Sequence, residues 1–504
     1  MTRSTTISGA VTWFPHQHFV NGDWVSAEKE DVRPVVNPAT GLAIAQVAWG
    51  HGRDTMTAID YAHQAFTSWR RTSATNRATL LSRVFAVLMA NKSTIGRIIA
   101  LENGKPIEQA AGEVDYAASF FRWFSEQARV LSERAVSHPD PSTHTIVAQE
   151  PLGVVGAITP WNFPLAQAAK KISAALAAGC TVVLKPAPET PLSALALAWA
   201  CEEAGLPSGT VNVVHGDAES IGKAMLEHTA VRCLSFTGSV KVGAELAGKA
   251  AAKLKIPHLE LGGNAPFIVL DDADLPFAAD QLVKLKILTN GQTCVTANRL
   301  LVHRKVADVF TGMVLSRFQK IKVGDPLDPE TTLGPLIHQQ AVEIARNLVI
   351  SAVEDGAHCV FGRPEDPLEL DDHLQKGTFF PPTLLTHCKN SMQIAQTEIF
   401  APVLPVITFT DDDDAVALAN DTSYGLAAYI YSQDTIRAND IASQLDVGII
   451  GINDMRPLRA EVPFGGVKES GMGREGGIEG LMDYLSAKTI STHRHGVDTN
   501  NYAI

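Results

Sequence analysis

The chain has 504 residues, 45% of them hydrophobic and 19% charged, and a formal net charge of −12. That length exceeds what one core supports, so two or three domains are expected, and the composition is that of a folded soluble protein, not a disordered one. No basic stripe is available to neutralise phosphates, which argues against a nucleic-acid partner. The six cysteines, Cys180, Cys201, Cys233, Cys294, Cys359 and Cys388, form no CxxC pair and no His/Cys cluster at zinc spacing. Neither a metal site nor a disulfide framework is therefore expected. The opening MTRSTTISGAVTWF lacks an apolar core of signal-peptide length, no run is long enough to cross a membrane, and the closing NNYAI is no sorting signal. A cytoplasmic location without a membrane partner is the expectation.

In chain order, short strand-like pieces around FVNGDWV come first. A helical stretch follows from about Asp54 to Phe124, with apolar residues at helical spacing. Residues 138–149, HPDPSTHTIVAQ, break that pattern and read as an extended excursion, open to a partner subunit or to the strand-like tail after Asp483. From Pro151, the segments GVVGAITP, CTVVLKP, GTVNVVHG and CLSFTGS read as buried strands. Between them lie two helices, AQAAKKISAALAAG, stopped by Gly179, and PLSALALAWACEEAG. Apolar strands alternating with helices imply a parallel sheet covered on both faces, with ligands at the carboxyl ends of its strands. A second αβ pattern runs from about Gly263 to about Pro463 through PFIVL, NRLLVH and GLAAYIYS. The acidic run Asp411–Asp414 within it reads as a solvated loop or helix start.

Several segments carry candidate chemistry. In FTGSVKVG, Gly238 allows close backbone approach, and Ser239 can donate to a phosphate beside a helix N-terminus. HGDAESIG puts Gly216 and Gly222 at another strand-to-helix junction; ordinary turns are the competing reading of both segments. Lys185, in LKPAPETP, either contacts ribose hydroxyls or a phosphate, or caps its strand in solvent. Cys294 sits among small and hydroxylated residues in GQTCVTANR, as a nucleophile or as a core filler. Glu260, between two leucines in LELGGNAPFIV, would have a raised pKa if desolvated and would suit a general base; a strand salt bridge is the alternative. Asn162, in TPWNFP, is a candidate oxyanion donor or a turn asparagine. Thiol, amide and carboxylate together suit attack on a carbonyl carbon.

With these segments in place the chain resembles the NAD(P)-dependent aldehyde dehydrogenase superfamily over roughly residues 18 to 490. PWNFP, LKPA, FTGS, LELGGNAPFIV, GQTC, EIFAPV and PFGGVKESGMGREG occur in family order. The resemblance implies an α/β fold of two Rossmann-type parallel-sheet domains and a small β oligomerisation element. Residues 1–130 and 152–262 would bind the dinucleotide, 263–463 would carry the nucleophile, and 131–151 with 484–504 would join subunits into a homodimer or homotetramer. It implies that Cys294 attacks an aldehyde, that Asn162 and the Cys294 N–H hold the oxyanion, and that Glu260 activates the water releasing the acid. Lys171 and Glu475 match positions in or near a proton path to that base. Trp161, Lys185, Gly216, Ser239, Gly262, Glu398 and Phe400 match cofactor-side positions, for NAD or NADP. Many NAD-preferring members carry a glutamate where this chain has Pro188, with Glu189 next, so cofactor preference stays open.

The closest branch is that of succinate-semialdehyde dehydrogenases, which bind a distal carboxylate through arginines. Here those positions are Lys170 and Leu288, while Arg456 and Arg459 stand in the loop before PFGG. The thiol that some of this branch place two residues after the nucleophile is Thr296. The leading expectation is oxidation of a carboxylated aldehyde. The alternatives are a neutral aldehyde, a non-catalytic dinucleotide-binding protein and a cofactor-free thiol hydrolase.

Overall fold

The structure, a computed structural model, describes residues 14–140 and 142–494. The helical stretch near the N-terminus is four helices, Gly52–Trp69, Ala74–Ala90, Lys92–Asn103 and Ile107–Gln127. Ser73 caps the second by accepting from the Asn76 N–H, and Gly104, left-handed at φ 86, ends the third. Their apolar faces, with Phe120, Phe121 and Phe124 fully buried, pack over the Pro164–Ala178 helix.

That helix covers an eight-stranded sheet. Its parallel strands run in the order Ile256–Glu260, Val231–Thr237, Val154–Ile158, Thr181–Lys185 and Val211–Val213. Antiparallel edges are added by Gly471–Met472 on one side and by His18–Val20 with Asp23–Val25 on the other. Chain order reverses between Val154–Ile158 and Val231–Thr237, so the carboxyl ends of these strands open a crevice, as expected of a doubly wound sheet. A second, seven-stranded sheet holds Thr383–Thr386, Val403–Phe409, Arg299–His303, Pro266–Val269, Ala427–Tyr431 and Ile449–Ile452 in parallel, with His358–Phe361 antiparallel at one edge. Asp411 accepts from the Asp414 N–H and caps the Asp412–Asn420 helix, which accounts for the acidic run as a helix start.

The 138–149 excursion falls in a third sheet. Arg134–Val136 pairs with Thr143–Pro151, and Thr143–Pro151 pairs antiparallel with the tail strand Leu485–His493, from Leu485 opposite Pro151 to His493 opposite Thr143. Residues 495–504 of the expected oligomerisation element, and 1–13 of the expected dinucleotide-binding segment, lie outside the described residues. Among the described residues no single helix is long and apolar enough to cross a membrane, and no group of three His, Cys, Asp or Glu side chains is arranged to hold a metal.

One glycine expectation is corrected. Gly222 lies inside the Ala218–Glu227 helix, not at a strand-to-helix junction, because Asp217 caps that helix five residues earlier. Gly216 is needed where it stands: a Cβ there would lie 2.0 Å from the Gly50 carbonyl oxygen, with which the chain forms a bridge. Gly216→Ala should therefore destabilise the protein by about 1–3 kcal/mol through overpacking, read from urea unfolding. An unchanged unfolding midpoint would show that the two backbones separate freely.

Candidate active site

The Leu275–Ile287 helix stops at Leu288, and the next three residues, Thr289, Asn290 and Gly291, are all left-handed, at φ 49, 59 and 80. For the first two this is strained backbone, sustained only if neighbours fix it. They do. Asn290 Nδ2 donates to the Gly104 and Pro335 carbonyls at 3.0 and 2.8 Å, and its Oδ1 accepts from the Gly334 N–H at 2.7 Å. The Thr289 N–H donates to Gln109 Oε1, and Gln292 Oε1 accepts from the Ile337 N–H. A Cβ at Gly291 would meet Ala401 C at 2.4 Å, so the loop abuts the EIFAPV segment. Cys294 follows, half-buried. Gly263 packs so closely that a Cβ there would lie 2.1 Å from the Cys294 carbonyl oxygen.

Asn162 precedes the Pro164–Ala178 helix and is buried. Its Nδ2 donates to the Gln292 carbonyl at 3.1 Å, two residues before the thiol, and its Oδ1 accepts from the Phe163 N–H. One Nδ2 proton remains for another acceptor. Glu260 ends its parallel strand fully enclosed, and neither carboxylate oxygen has a hydrogen-bond partner. Burial, reinforced by the charge of Glu475, lifts its pKa well above the ordinary carboxylate value. Burial also pushes the Cys294 thiol up to about 12, with Glu398 adding to the rise and Lys170 opposing it. The resting site therefore holds a neutral thiol together with a carboxyl whose proton affinity burial has raised.

Lys170 and Lys171 are successive residues of the Pro164–Ala178 helix and both are buried. Lys171 Nζ donates to Ser235 Oγ at 2.9 Å and to Glu475 Oε1 at 2.8 Å. Lys170 Nζ lies 3.6 Å from Glu475 Oε2 and 4.0 Å from the Phe464 ring centroid, with Tyr116 and Phe120 at 5.4 and 5.5 Å. Burial alone would raise the Glu475 carboxyl, but Lys171 and Lys170 hold it down to about 2. For Lys170, burial lowers the pKa, but Tyr116, Glu475, Cys294 and Glu260 outweigh it and raise the pKa above the usual lysine value.

A cleft of about 680 Å³ opens at the strand-order reversal, lined by Ile158, Lys185, Gly222, Phe236, Val242 and Leu246 among others. Its apolar walls and its place at the carboxyl ends of the strands fit a dinucleotide. Lys185 is buried rather than capping its strand in solvent; burial lowers its ammonium to about 8, against Glu189 and Asp217. Ser239 caps the Val240–Ala251 helix, accepting from the Val242 N–H. Glu398 Oε1 accepts from the Gly263 N–H at 2.9 Å, and a Cβ on Gly262 would lie 2.8 Å from Glu398 Oε2. Burial raises that carboxyl to about 7. Phe400 is left-handed at φ 54, and its ring meets Trp161 edge-on at 5.4 Å.

The structure thus gathers Cys294, Asn162, Glu260, Lys170, Lys171, Glu475 and Glu398 into one neighbourhood. Arg456 and Arg459 stand apart from it in accessibility: both are exposed, and neither forms an ion pair among the described residues. Leu288 is half-buried, and Thr296 is buried with its hydroxyl on the Leu285 carbonyl. Sequence reasoning missed Asn290, Gln292 and Tyr116. The Asn and Gln beside GQTC were the available signal, since polar amides rarely fill an apolar loop without partners.

Because its folded pKa is depressed, Glu475 adds stability above pH 4.5 that is lost as pH falls toward about 2. Glu475→Gln should cost about 3–5 kcal/mol at pH 7, since it leaves two buried ammonium groups without their carboxylate. In urea titrations the deficit should narrow between pH 4.5 and 3; a gap independent of pH would contradict this ion-pair assignment.

Comparison with known proteins agrees with this geometry. A sequence model described as the aldehyde dehydrogenase family matches residues 24–490. The chain is 42% identical to a glutarate-semialdehyde dehydrogenase of Pseudomonas aeruginosa over 95% of its own length and 97% of the relative's. It is 42% identical to an NADP-type succinate-semialdehyde dehydrogenase of Escherichia coli, over 94% and 97%. It also superposes on a crystal structure of a Staphylococcus aureus betaine aldehyde dehydrogenase in complex with NAD+, with a TM-score of 0.93 at 35% identity, covering 98% of each chain.

Proposed function

The chain belongs to the aldehyde dehydrogenase family, and from that premise we propose that it oxidises a carboxylated aldehyde, of the succinate-semialdehyde kind, to the acid through a thioester on Cys294. The observation that carries the substrate class is the buried charge around the nucleophile. Lys170 and Lys171 are both buried and share one carboxylate partner, Glu475, at 3.6 and 2.8 Å, so this group of three holds one cation more than it holds anions. A substrate carboxylate would balance that surplus. Two of the similar enzymes, named for glutarate and succinate semialdehydes, act on aldehydes of this charge. A lysine gives such a carboxylate a point charge rather than a two-pronged grip, so recognition here is weaker in direction than an arginine's.

Glu260 in its ionised form takes the proton of the Cys294 thiol, the sulfur bonds to the aldehyde carbon, and the carbonyl electron pair moves to oxygen. The developing oxyanion lies between the free Nδ2 proton of Asn162 and the Cys294 N–H. Collapse of the oxyanion releases a hydride, for which bound NAD or NADP would supply the acceptor, and leaves the acyl group on sulfur. Trp161, Lys185, Gly216, Ser239, Gly262, Glu398 and Phe400 would hold that cofactor, with Lys185 toward the ribose side and Glu398 and Phe400 toward the nicotinamide. Lys171 with Glu475 relays the thiol's proton away from Glu260, which in its ionised form then takes a proton from the water that attacks the thioester, and the Cys294 sulfur leaves as thiolate. Presence of this base favours hydrolysis over transfer of the acyl group to another thiol.

The third sheet supports a homodimer or homotetramer: the Leu485–His493 strand is almost wholly exposed and pairs on one side only among the described residues. The reading of the substrate is tested by kcat/KM for succinate semialdehyde against butanal, with NAD and NADP each saturating. A preference of tenfold or more for the carboxylated aldehyde, about 1.4 kcal/mol in transition-state binding, is expected. Equal rates, or a preference for butanal, would overturn the anionic-substrate reading and leave a neutral aldehyde in its place.

A further inference from the structure

Four consecutive residues, Glu102, Asn103, Gly104 and Lys105, link the Lys92–Asn103 and Ile107–Gln127 helices, and all four are buried. Between them they reach three parts of the molecule. The Glu102 carboxylate accepts from the Leu192 and Ser193 N–H groups, both at 2.8 Å, and so caps the Pro191–Glu203 helix. Asn103 Nδ2 donates to the Trp161 carbonyl at 2.9 Å. The Gly104 carbonyl accepts from Asn290. Lys105 Nζ donates to the Asn162 carbonyl at 2.7 Å, pairs with Glu113, and lies 4.1 Å from the Phe163 ring centroid. Glu113 uses its other oxygen to accept from the Leu165 and Ala166 N–H groups at 2.9 and 3.1 Å.

The Lys105–Glu113 pair is almost fully enclosed, with side-chain exposures of 1% and 0%. Such a pair is a poor source of stability, because desolvation of both charges consumes most of their attraction. Glu113 alone would cap the Pro164–Ala178 helix. What Lys105 adds is directed entirely at Asn162 and Phe163. Asn162 is then held at three points: its carbonyl by Lys105, its Oδ1 by the Phe163 N–H, and one Nδ2 proton by the Gln292 carbonyl. With the backbone and both ends of the amide fixed, the remaining Nδ2 proton has one direction.

We propose that Lys105, clamped by Glu113, is a positioning residue that aims the Asn162 amide, and so serves the step in which an oxyanion forms. The inference rests on the role given above to Asn162. It is tested on the full-length protein with Lys105→Met, which keeps the length of the side chain and removes its donor. Two rates are compared: the pre-steady-state burst of reduced cofactor with saturating aldehyde, which passes through an oxyanion, and alkylation of Cys294 by iodoacetamide, which does not. The burst should slow by about 30-fold or more, as for a misdirected oxyanion donor. Alkylation and the Kd for the cofactor should stay within about threefold.

Glu102→Gln is the control in the same segment. It removes a carboxylate that caps a different helix, so its Tm should fall while its burst stays within about threefold. Glu113→Gln, which leaves Lys105 in place but unclamped, should slow the burst by about tenfold and serves if Lys105→Met does not fold. An unchanged burst in Lys105→Met, or in Glu113→Gln where only that variant folds, would overturn the proposal. So would a parallel loss of burst, alkylation and cofactor affinity, which marks a general collapse of the site. Absence of any reduced cofactor from the wild-type protein with saturating aldehyde would instead overturn the functional reading beneath it.

Discussion

The thiol of Cys294 stands where it does because two non-glycine residues in a row are forced into left-handed backbone. Thr289 carries roughly 1–2 kcal/mol of conformational cost with no local reason to accept it, and Asn290, a residue type that tolerates this region better, carries less. The cost is offset by hydrogen bonds of about 1 kcal/mol each, three from the Asn290 side chain and one from the Gln292 side chain to the Ile337 N–H among them. Those bonds run to Gly104 and to residues 334–337, so the thiol's position depends on two distant segments at once. Gly291 and Gly263 complete the constraint from the other sides, one against Ala401 and one against the Cys294 carbonyl.

Around that fixed sulfur the protein arranges a set of ionisable groups with opposed tendencies. Burial keeps the thiol neutral and raises the proton affinity of Glu260, while the two lysines keep Glu475 charged. Burial alone is not the difference, since Glu260 and Glu475 are both enclosed; the lysine charges are. Glu475 lies 2.8 Å from Lys171 Nζ and 3.6 Å from Lys170 Nζ and also accepts a hydrogen bond from Lys171, whereas neither Glu260 oxygen has a partner. A carboxyl without partners beside a hydrogen-bonded one is how two neighbouring groups come to differ in proton affinity, and it leaves Glu260 free to exchange protons with water or thiol.

The parallel strands, the helix that Gly179 ends and the acidic helix start were all legible in the sequence, because each follows from local pattern: continuous apolar runs, a glycine with φ 95, and an aspartate three residues before the N–H it caps. Cys294, Glu260 and Asn162 were legible as residue types in unusual settings, and the family resemblance named them together. The clamp on the loop before Cys294 was not, since it joins Asn290 to a carbonyl 186 positions away. Lys105 and Glu113 escaped notice for the same reason: on a sequence they are two charges eight positions apart, and only the fold shows both to be buried. The segment break at Gly222 was misjudged because a glycine inside a helix and a glycine before one look alike locally. Arg456 and Arg459, read from the sequence as candidate anion ligands, are exposed, and Lys170, buried beside Glu475, is where the positive charge is concentrated.

The central claim is that an acyl group passes through sulfur and is released by water that Glu260 activates. The most direct measurement is a rapid-mixing trace of reduced cofactor for Glu260→Gln with saturating aldehyde, followed by intact-mass analysis of the quenched protein. The account predicts a burst of about one equivalent per active site, a slow steady state after it, and a mass increase equal to the acyl group that is absent from Cys294→Ala. Steady-state turnover equal to the wild type, with no acyl adduct, would contradict it.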